Sequence, residues 1–428
     1  MIYIYAQKKT KRLKYTLDVL FKTILQIGYK IVDKDLFLEK SDHPKINYSN
    51  ERIENSIWIK PHSLLFERAV KSQDIAVSYI KGIPYFFKTS KEADFQYDLF
   101  AISFYMLSRY EEYLPFTSDE HARFSAECSL AFKANFLQKP IVHLWAKQLR
   151  DAVLKQVPGF LFPTRIYTQV NTIDVDIAYA YKGKSFIRRL GSFAKALLYF
   201  DKKEISRHYS FMSDGKDPYD TYATLKEIQE QSKAENIYFF QVGKYGKFDK
   251  NLPVNRQMIK LIKKIATEAT IGIHPSYNSN TDIKILREEK ESLSKILDKS
   301  LFKSRQHYLK MSLPETYENL ISLGIKEDYT MGFPDQIGFR AGMAIPYPFF
   351  NLMMNKQRAL TIVPFQIMDG TLKDYLQLTP EEALEQIEQM KMEIRNINGQ
   401  FVSVFHNSFL TNQGEWKGWL AVYKQLMQ

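Results

Sequence analysis

The chain has 428 residues and a mass of 50.3 kDa, more than one apolar core usually organises, so two domains are expected. Hydrophobic residues make up 45% and charged residues 25%, which excludes a disordered chain, a collagen and a coiled coil. The single cysteine, Cys128, excludes an intrachain disulfide and a cysteine-rich zinc site. The net charge of +12 favours anionic partners, but the basic residues are scattered and form no helix-turn-helix, RNP or finger pattern, so nucleic acid is not expected. The longest strongly apolar run, residues 99–107, falls far short of the roughly 18 that would span a bilayer. At the N-terminus the charges follow a very short apolar stretch, the reverse of a secretory signal, and a cytoplasmic protein is expected.

Residues 1–160 read as one α+β unit. A strand over 1–5 leads to an amphipathic helix over 15–27, then to short strands around Ile46, 57–60 and 75–80. A helix over 98–113 takes Asp98 as its N-cap and stops at Pro115, and another covers 142–154. Pro158, Gly159 and Pro163 punctuate a boundary. Beyond it the pattern alternates. Strand-like runs fall at 165–173, 236–242, 270–273, 304–309, 362–368 and 401–405. Helices are expected at 217–233, 254–266, 282–297 and 314–323, and a last one opens at Thr379-Pro380-Glu381 and ends at Gly399. Such alternation over residues 165–428 argues for an α/β domain with a parallel sheet, open or closed as a barrel.

Polar groups collect at the ends of these runs. Asp174 and Asp176 follow 165–173, His274 follows 270–273, His307 lies within 304–309, Arg340 follows in a Gly-Phe-Arg-Ala-Gly loop, Asp369 ends 362–368, and His406 ends 401–405. In a parallel α/β sheet the C-terminal ends of the strands share one face, so these residues are expected to meet. In an extended chain Asp174 and Asp176 point the same way while Val175 points opposite. Two adjacent carboxylates are costly unless a cation lies between them or one holds a proton. A metal on one and general-base duty for the other would relieve the strain; capping of the following turn is the plain structural alternative. The run at 185–200, rich in Arg and Lys, reads as a basic amphipathic helix that packs on the barrel, covers the site or makes a peripheral membrane contact.

From residue 172 onward the ordered segments 172–176, 272–277, 305–309, 338–342, 368–371 and 404–408 resemble the NodB-type polysaccharide deacetylases. They resemble more closely a bacterial branch with an N-terminal domain of unknown function, a partner that 95–113 and 121–124 also resemble. The resemblance implies a distorted (β/α) barrel at 165–428 beside a separate N-terminal unit at 1–160. It also implies a metal-dependent hydrolase that removes N-acetyl groups from an amino sugar or polysaccharide in cell-envelope glycan metabolism. By residue it implies Asp174 as base, Asp176 and His274 as ligands of a divalent ion (zinc by ligand type), Arg340 as the group orienting the base, and His406 as general acid with Asp369 as its partner. Three features depart from the family pattern. Val175 separates the two aspartates, Asn278 stands where a second ligand histidine is usual, and the residues after Arg340 differ. By position, His307 is the substitute ligand. A catalytically silent barrel that binds glycan or protein is the alternative, and hydrolysis of another acyl amide a third reading.

Overall fold

The computed structural model describes every residue except 41, 184–185, 201–204, 206–207, 210, 213–214 and 252. Ser185, the start of the expected basic helix, lies outside the described residues; a helix is present at Phe186–Leu198. Among the described residues no helix is long and apolar enough to cross a membrane.

The N-terminal part differs from the expected α+β arrangement. Its four-stranded sheet, in the order Tyr29–Val32, Ile2–Ala6, Lys45–Tyr48, Ile57–Trp58, is wholly parallel, and only the small pair Ser78–Ile80 and Ile83–Tyr85 is antiparallel. A parallel sheet needs crossovers. The first is the helix Lys11–Leu17, capped by Thr10 accepting from the Leu13 amide, and the wider turns of Asp18–Ile24 that continue it. The helix Leu99–Leu107 is buried all round, as a run apolar but for Ser103 requires. Asp98 caps it, accepting from the amides of Phe100 and Ala101. At Arg109 the backbone turns left-handed (φ 52°), and the short helix Tyr110–Tyr113 follows.

The larger sheet has nine strands in the order Tyr347–Asn351, Lys356–Ile362, Glu327–Asp328, Lys303–Ser304, Thr270–Ile273, Glu235–Phe240, Thr168–Val175, Gln400–His406, Ile367–Met368. All neighbours are parallel except the hairpin of the first two. The mixed α/β character expected of this part is therefore present. Helices follow the strands as the alternation required, among them Arg256–Ile265, Ile283–Leu297 and Pro380–Arg395, the last with a full capping box between Thr379 and Glu382.

Three elements differ from expectation for local reasons. The run at 362–368 divides because Pro364 has no amide to give a ladder. The run at 304–309 holds strand geometry only at Lys303–Ser304, then coils through left-handed residues Tyr308 and Leu309. The helix expected from Asp217 begins at Tyr222, because the Asp217 carboxylate is occupied by the backbone amides of Ala180, Tyr181 and Lys182.

The apolar core runs unbroken from one sheet to the other. Tyr15 packs on Phe350 with ring centroids 4.9 Å apart and donates to the Pro348 carbonyl, and Phe104 meets the same Phe350 ring edge-on. The Gly-Phe-Arg-Ala-Gly loop lies against residues 137–142. At Gly338, with φ +132°, a Cβ would come within 2.5 Å of the Leu137 carbonyl oxygen, so only glycine allows the approach.

Candidate active site

Thr168–Val175 is central in the larger sheet, buried on both faces over most of its length, and delivers Asp174 at its end and Asp176 one residue beyond. Its neighbours end level with it: Asp174 is in register with His406 on one side and with Phe239 on the other. His274 follows Thr270–Ile273 directly, His307 follows Lys303–Ser304, and Asp369 follows Ile367–Met368. The side chains of Asp174, Asp176, His274, His307 and His406 thus line one open cavity at the C-terminal ends of the strands.

Asp176, His274 and His307 each offer one ligand atom, all within 4.8 Å of one another. His274 Nδ1 lies 2.6 Å from the Arg305 carbonyl oxygen. A carbonyl only accepts, so Nδ1 carries the hydrogen and Nε2 is the nitrogen left on the side of Asp176, 3.0 Å from its Oδ1. That carboxylate oxygen is buried and has no hydrogen-bond partner. An acceptor nitrogen and a carboxylate oxygen this close repel each other unless a proton or a cation lies between them. His307 repeats the pattern: its Nδ1 sits 2.9 Å from Asp249 Oδ1 and its Nε2 faces Asp176 Oδ2 at 3.5 Å. A carboxylate or carbonyl behind each ring and the free nitrogen in front is the arrangement of metal-ligating histidines, so these residues fit a divalent cation.

Burial works against charge on His307, but Asp176 and Asp249 outweigh it and push the ring up to about 9. Burial likewise opposes ionisation of Asp176, and His307, His274 and His406 overcome it, holding that carboxyl well below its usual range. His406 is set by Asp369, whose Oδ1 lies 2.7 Å from Nδ1 and whose Oδ2 accepts from the His406 amide. Burial disfavours the imidazolium, yet Asp369, then Asp176 and Asp174, raise it to about 10. Its Nε2 is left facing the cavity, 3.8 Å from Asp176 Oδ2.

One expected residue is not at the site. Arg340 does not reach Asp174: its Nε and Nη2 donate to Glu112 at 2.9 and 2.6 Å, its Nη1 donates to the Gly332 carbonyl, and it lies over Phe333. The Gly-Phe-Arg-Ala-Gly loop packs on the N-terminal part, so its arginine finds a carboxylate there. Arg305 takes the place beside the base. Fully buried between Phe239, Phe365 and Tyr329, it donates from Nη1 to Asp174 Oδ1 at 3.0 Å and to Thr172 Oγ1, and from Nε to the Tyr329 carbonyl. The one mark on it in the sequence was its place within the strand-like run 304–309, which did not set it apart from Arg340 as the partner of the base. Asp249 and Arg123 carried no such signal, for both lie in irregular segments. Asn278 is exposed and is not among the residues lining the cavity.

The fold and this cluster define an α/β chain with an Asp-His-His group beside a second Asp and a carboxylate-held histidine. Residues 2–158 match a family of unknown function, DUF7033. No curated protein matches the chain. Among solved structures, a Mycobacterium smegmatis protein proposed to be a polysaccharide deacetylase is 16% identical, with 62% of this chain and 85% of that one covered and a TM-score of 0.40. The polysaccharide deacetylase Bc1974 from Bacillus cereus is 13% identical over 61% and 87%, at a TM-score of 0.27. Puue allantoinase is 10% identical over 61% and 83%, at 0.37. Likeness at this level says what the chain is similar to and nothing of what it does.

Proposed function

We propose that the chain is a metal-dependent carbohydrate N-deacetylase of the NodB type, with residues 165–428 forming a distorted (β/α) barrel and residues 1–160 a second domain. The observation that carries this reading is the group of Asp176, His274 and His307, whose ligand atoms lie within 4.8 Å of one another around a buried Asp176 oxygen that has no hydrogen-bond partner. Those three side chains would hold the cation, zinc by their chemistry. When bound, it would supply a Lewis acid that brings the pKa of water down to about 7 and stabilises negative charge on a carbonyl oxygen.

The remaining residues divide the proton work. Asp174, pinned by Arg305, accepts the proton of the attacking water. The water oxygen adds to the acetamide carbon and the C–N bond breaks. His406, its Nδ1 occupied by Asp369, delivers a proton from Nε2 to the departing sugar nitrogen. Acetate and a free amino sugar result. A cell-envelope glycan is the substrate class proposed, and the cytoplasm the proposed location.

The test joins metal analysis of the purified chain to acetate release from N-acetylated oligosaccharides. Stoichiometric metal and activity lost in Asp174→Asn are expected; no metal, with activity indifferent to that substitution, defeats the reading. Glycan binding that survives both chelation and loss of Asp176 would instead mark a silent binding barrel.

A further inference from the structure

The cavity is not built by the larger sheet alone. Residues 119–124 of the N-terminal part reach across to it, and Arg123 is one of its lining residues. Its guanidinium is placed with care. Nε donates to Asp119 Oδ2 at 2.7 Å, Nη1 donates to the Tyr308 carbonyl at 2.6 Å, and Nη2 stands 3.5 Å from the Tyr375 hydroxyl. Asp119 also accepts from the Arg123 amide, so side chain and backbone are gripped by the same carboxylate. Of the five N–H donors of a guanidinium these contacts engage three, one of them at long range. The segment is anchored beside Arg123 as well, because the His121 ring packs among Phe248, Tyr277 and Tyr308.

From this we infer that the N-terminal unit completes the substrate site, with Arg123 a substrate-binding residue that donates hydrogen bonds to oxygens of the glycan beside the scissile amide. The inference rests on the deacetylase reading. A sugar presents hydroxyl and ring oxygens on every edge, and a guanidinium held rigid by a carboxylate and a carbonyl is prepared to meet them with little entropy left to lose. In this arrangement the region that matches a family of unknown function supplies one wall of a neighbouring catalytic cavity.

The experiment uses the full-length, zinc-loaded chain and tetramers of N-acetylglucosamine, N-acetylgalactosamine and N-acetylmannosamine. Dissociation constants, KM, kcat and metal content are measured for the wild type, Arg123→Ala and Arg123→Lys. For the best tetramer, Arg123→Ala should raise Kd and KM by about tenfold or more, as loss of a charged donor does. Metal content should stay unchanged, kcat should shift far less, and Arg123→Lys should recover part of the loss. Should Arg123→Ala fail to fold, Arg123→Gln, which keeps an N–H donor but not the charge, takes its place. Unchanged Kd and KM overturn the inference. So does a fall in kcat together with metal content at constant KM, which would mean that the arm only props His307 through Tyr277 and Asp249. A wild-type chain that neither binds nor deacetylates any of the tetramers removes the deacetylase reading itself, and this inference with it.

Discussion

Glu112 sits between two arginines in the dry contact between the two parts of the chain. Its Oε1 accepts from Arg109 Nε at 2.7 Å and Arg340 Nε at 2.9 Å, and its Oε2 accepts from Arg340 Nη2 at 2.6 Å. The side chains of Arg109, Glu112 and Arg340 are only 1%, 4% and 2% exposed. Replacement by glutamine keeps the shape and removes the charge. Arg109 then keeps the carboxylate of Glu111, while Arg340 loses its ion-pair partner and keeps neutral acceptors, the amide oxygen and the Gly332 carbonyl, with the face of Phe333. An uncompensated buried charge of this kind costs about 3–5 kcal/mol. Burial alone would raise the Glu112 pKa, but Arg340 and Arg109 together bring it below its ordinary 4.5. A carboxyl depressed in the folded state stabilises fully above its unfolded pKa, and the benefit fades as pH falls through the lowered folded value. Urea unfolding at pH 7, followed by tryptophan fluorescence, should therefore show Glu112→Gln less stable by that amount, read from midpoint and slope together. The gap should narrow as pH drops below 4.5, and metal content should not change. A loss under about 1 kcal/mol, or a gap indifferent to pH, would refute the reasoning and reopen the assignment of Arg340 to the base.

Asp249→Asn, which weakens the hold on His307 Nδ1, should lower metal affinity about 10–100-fold in chelator competition; equal affinity would show that Asp249 does not support the ligand. Arg305→Met fits the aromatic sleeve around Arg305 but releases Asp174. It should cut the rate of acetate release by about 10²–10⁴-fold while metal stays bound, and a rate within about threefold of wild type would exclude Arg305 as the base's partner. Gly338→Ala should destabilise the chain by about 1–3 kcal/mol in thermal melts, from its positive φ and the contact with Leu137; an unaltered melt would mean that the loop relaxes freely.

Much of the architecture was legible because it is written locally. Thr379, Pro380 and Glu382 announce a helix start through contacts within one turn, and the structure shows that capping box. Thr270–Ile273 reads as a short buried strand from its own residues and is one. The placement of Asp174, Asp176, His274, His307, Asp369 and His406 at strand ends was legible too, because a parallel sheet puts every such end on one face. Which arginine meets Asp174 was not legible. Arg305 lies within one strand-like run and Arg340 in a glycine-flanked loop, and only the position of Lys303–Ser304 beside Thr270–Ile273, with the docking of residues 338–342 on the N-terminal part, separates them.

The chain's own order therefore determined which segments become helices and strands, and which side chains stand near the mouths of strands, because those signals act between residues a few positions apart. Only the tertiary structure decided partnership: Glu112 with Arg340, Asp249 with His307, Arg123 at the cavity wall. Such pairs depend on sheet order and on how two sheets share a core, and the attraction between oppositely charged side chains carries no record of how far apart they lie along the chain.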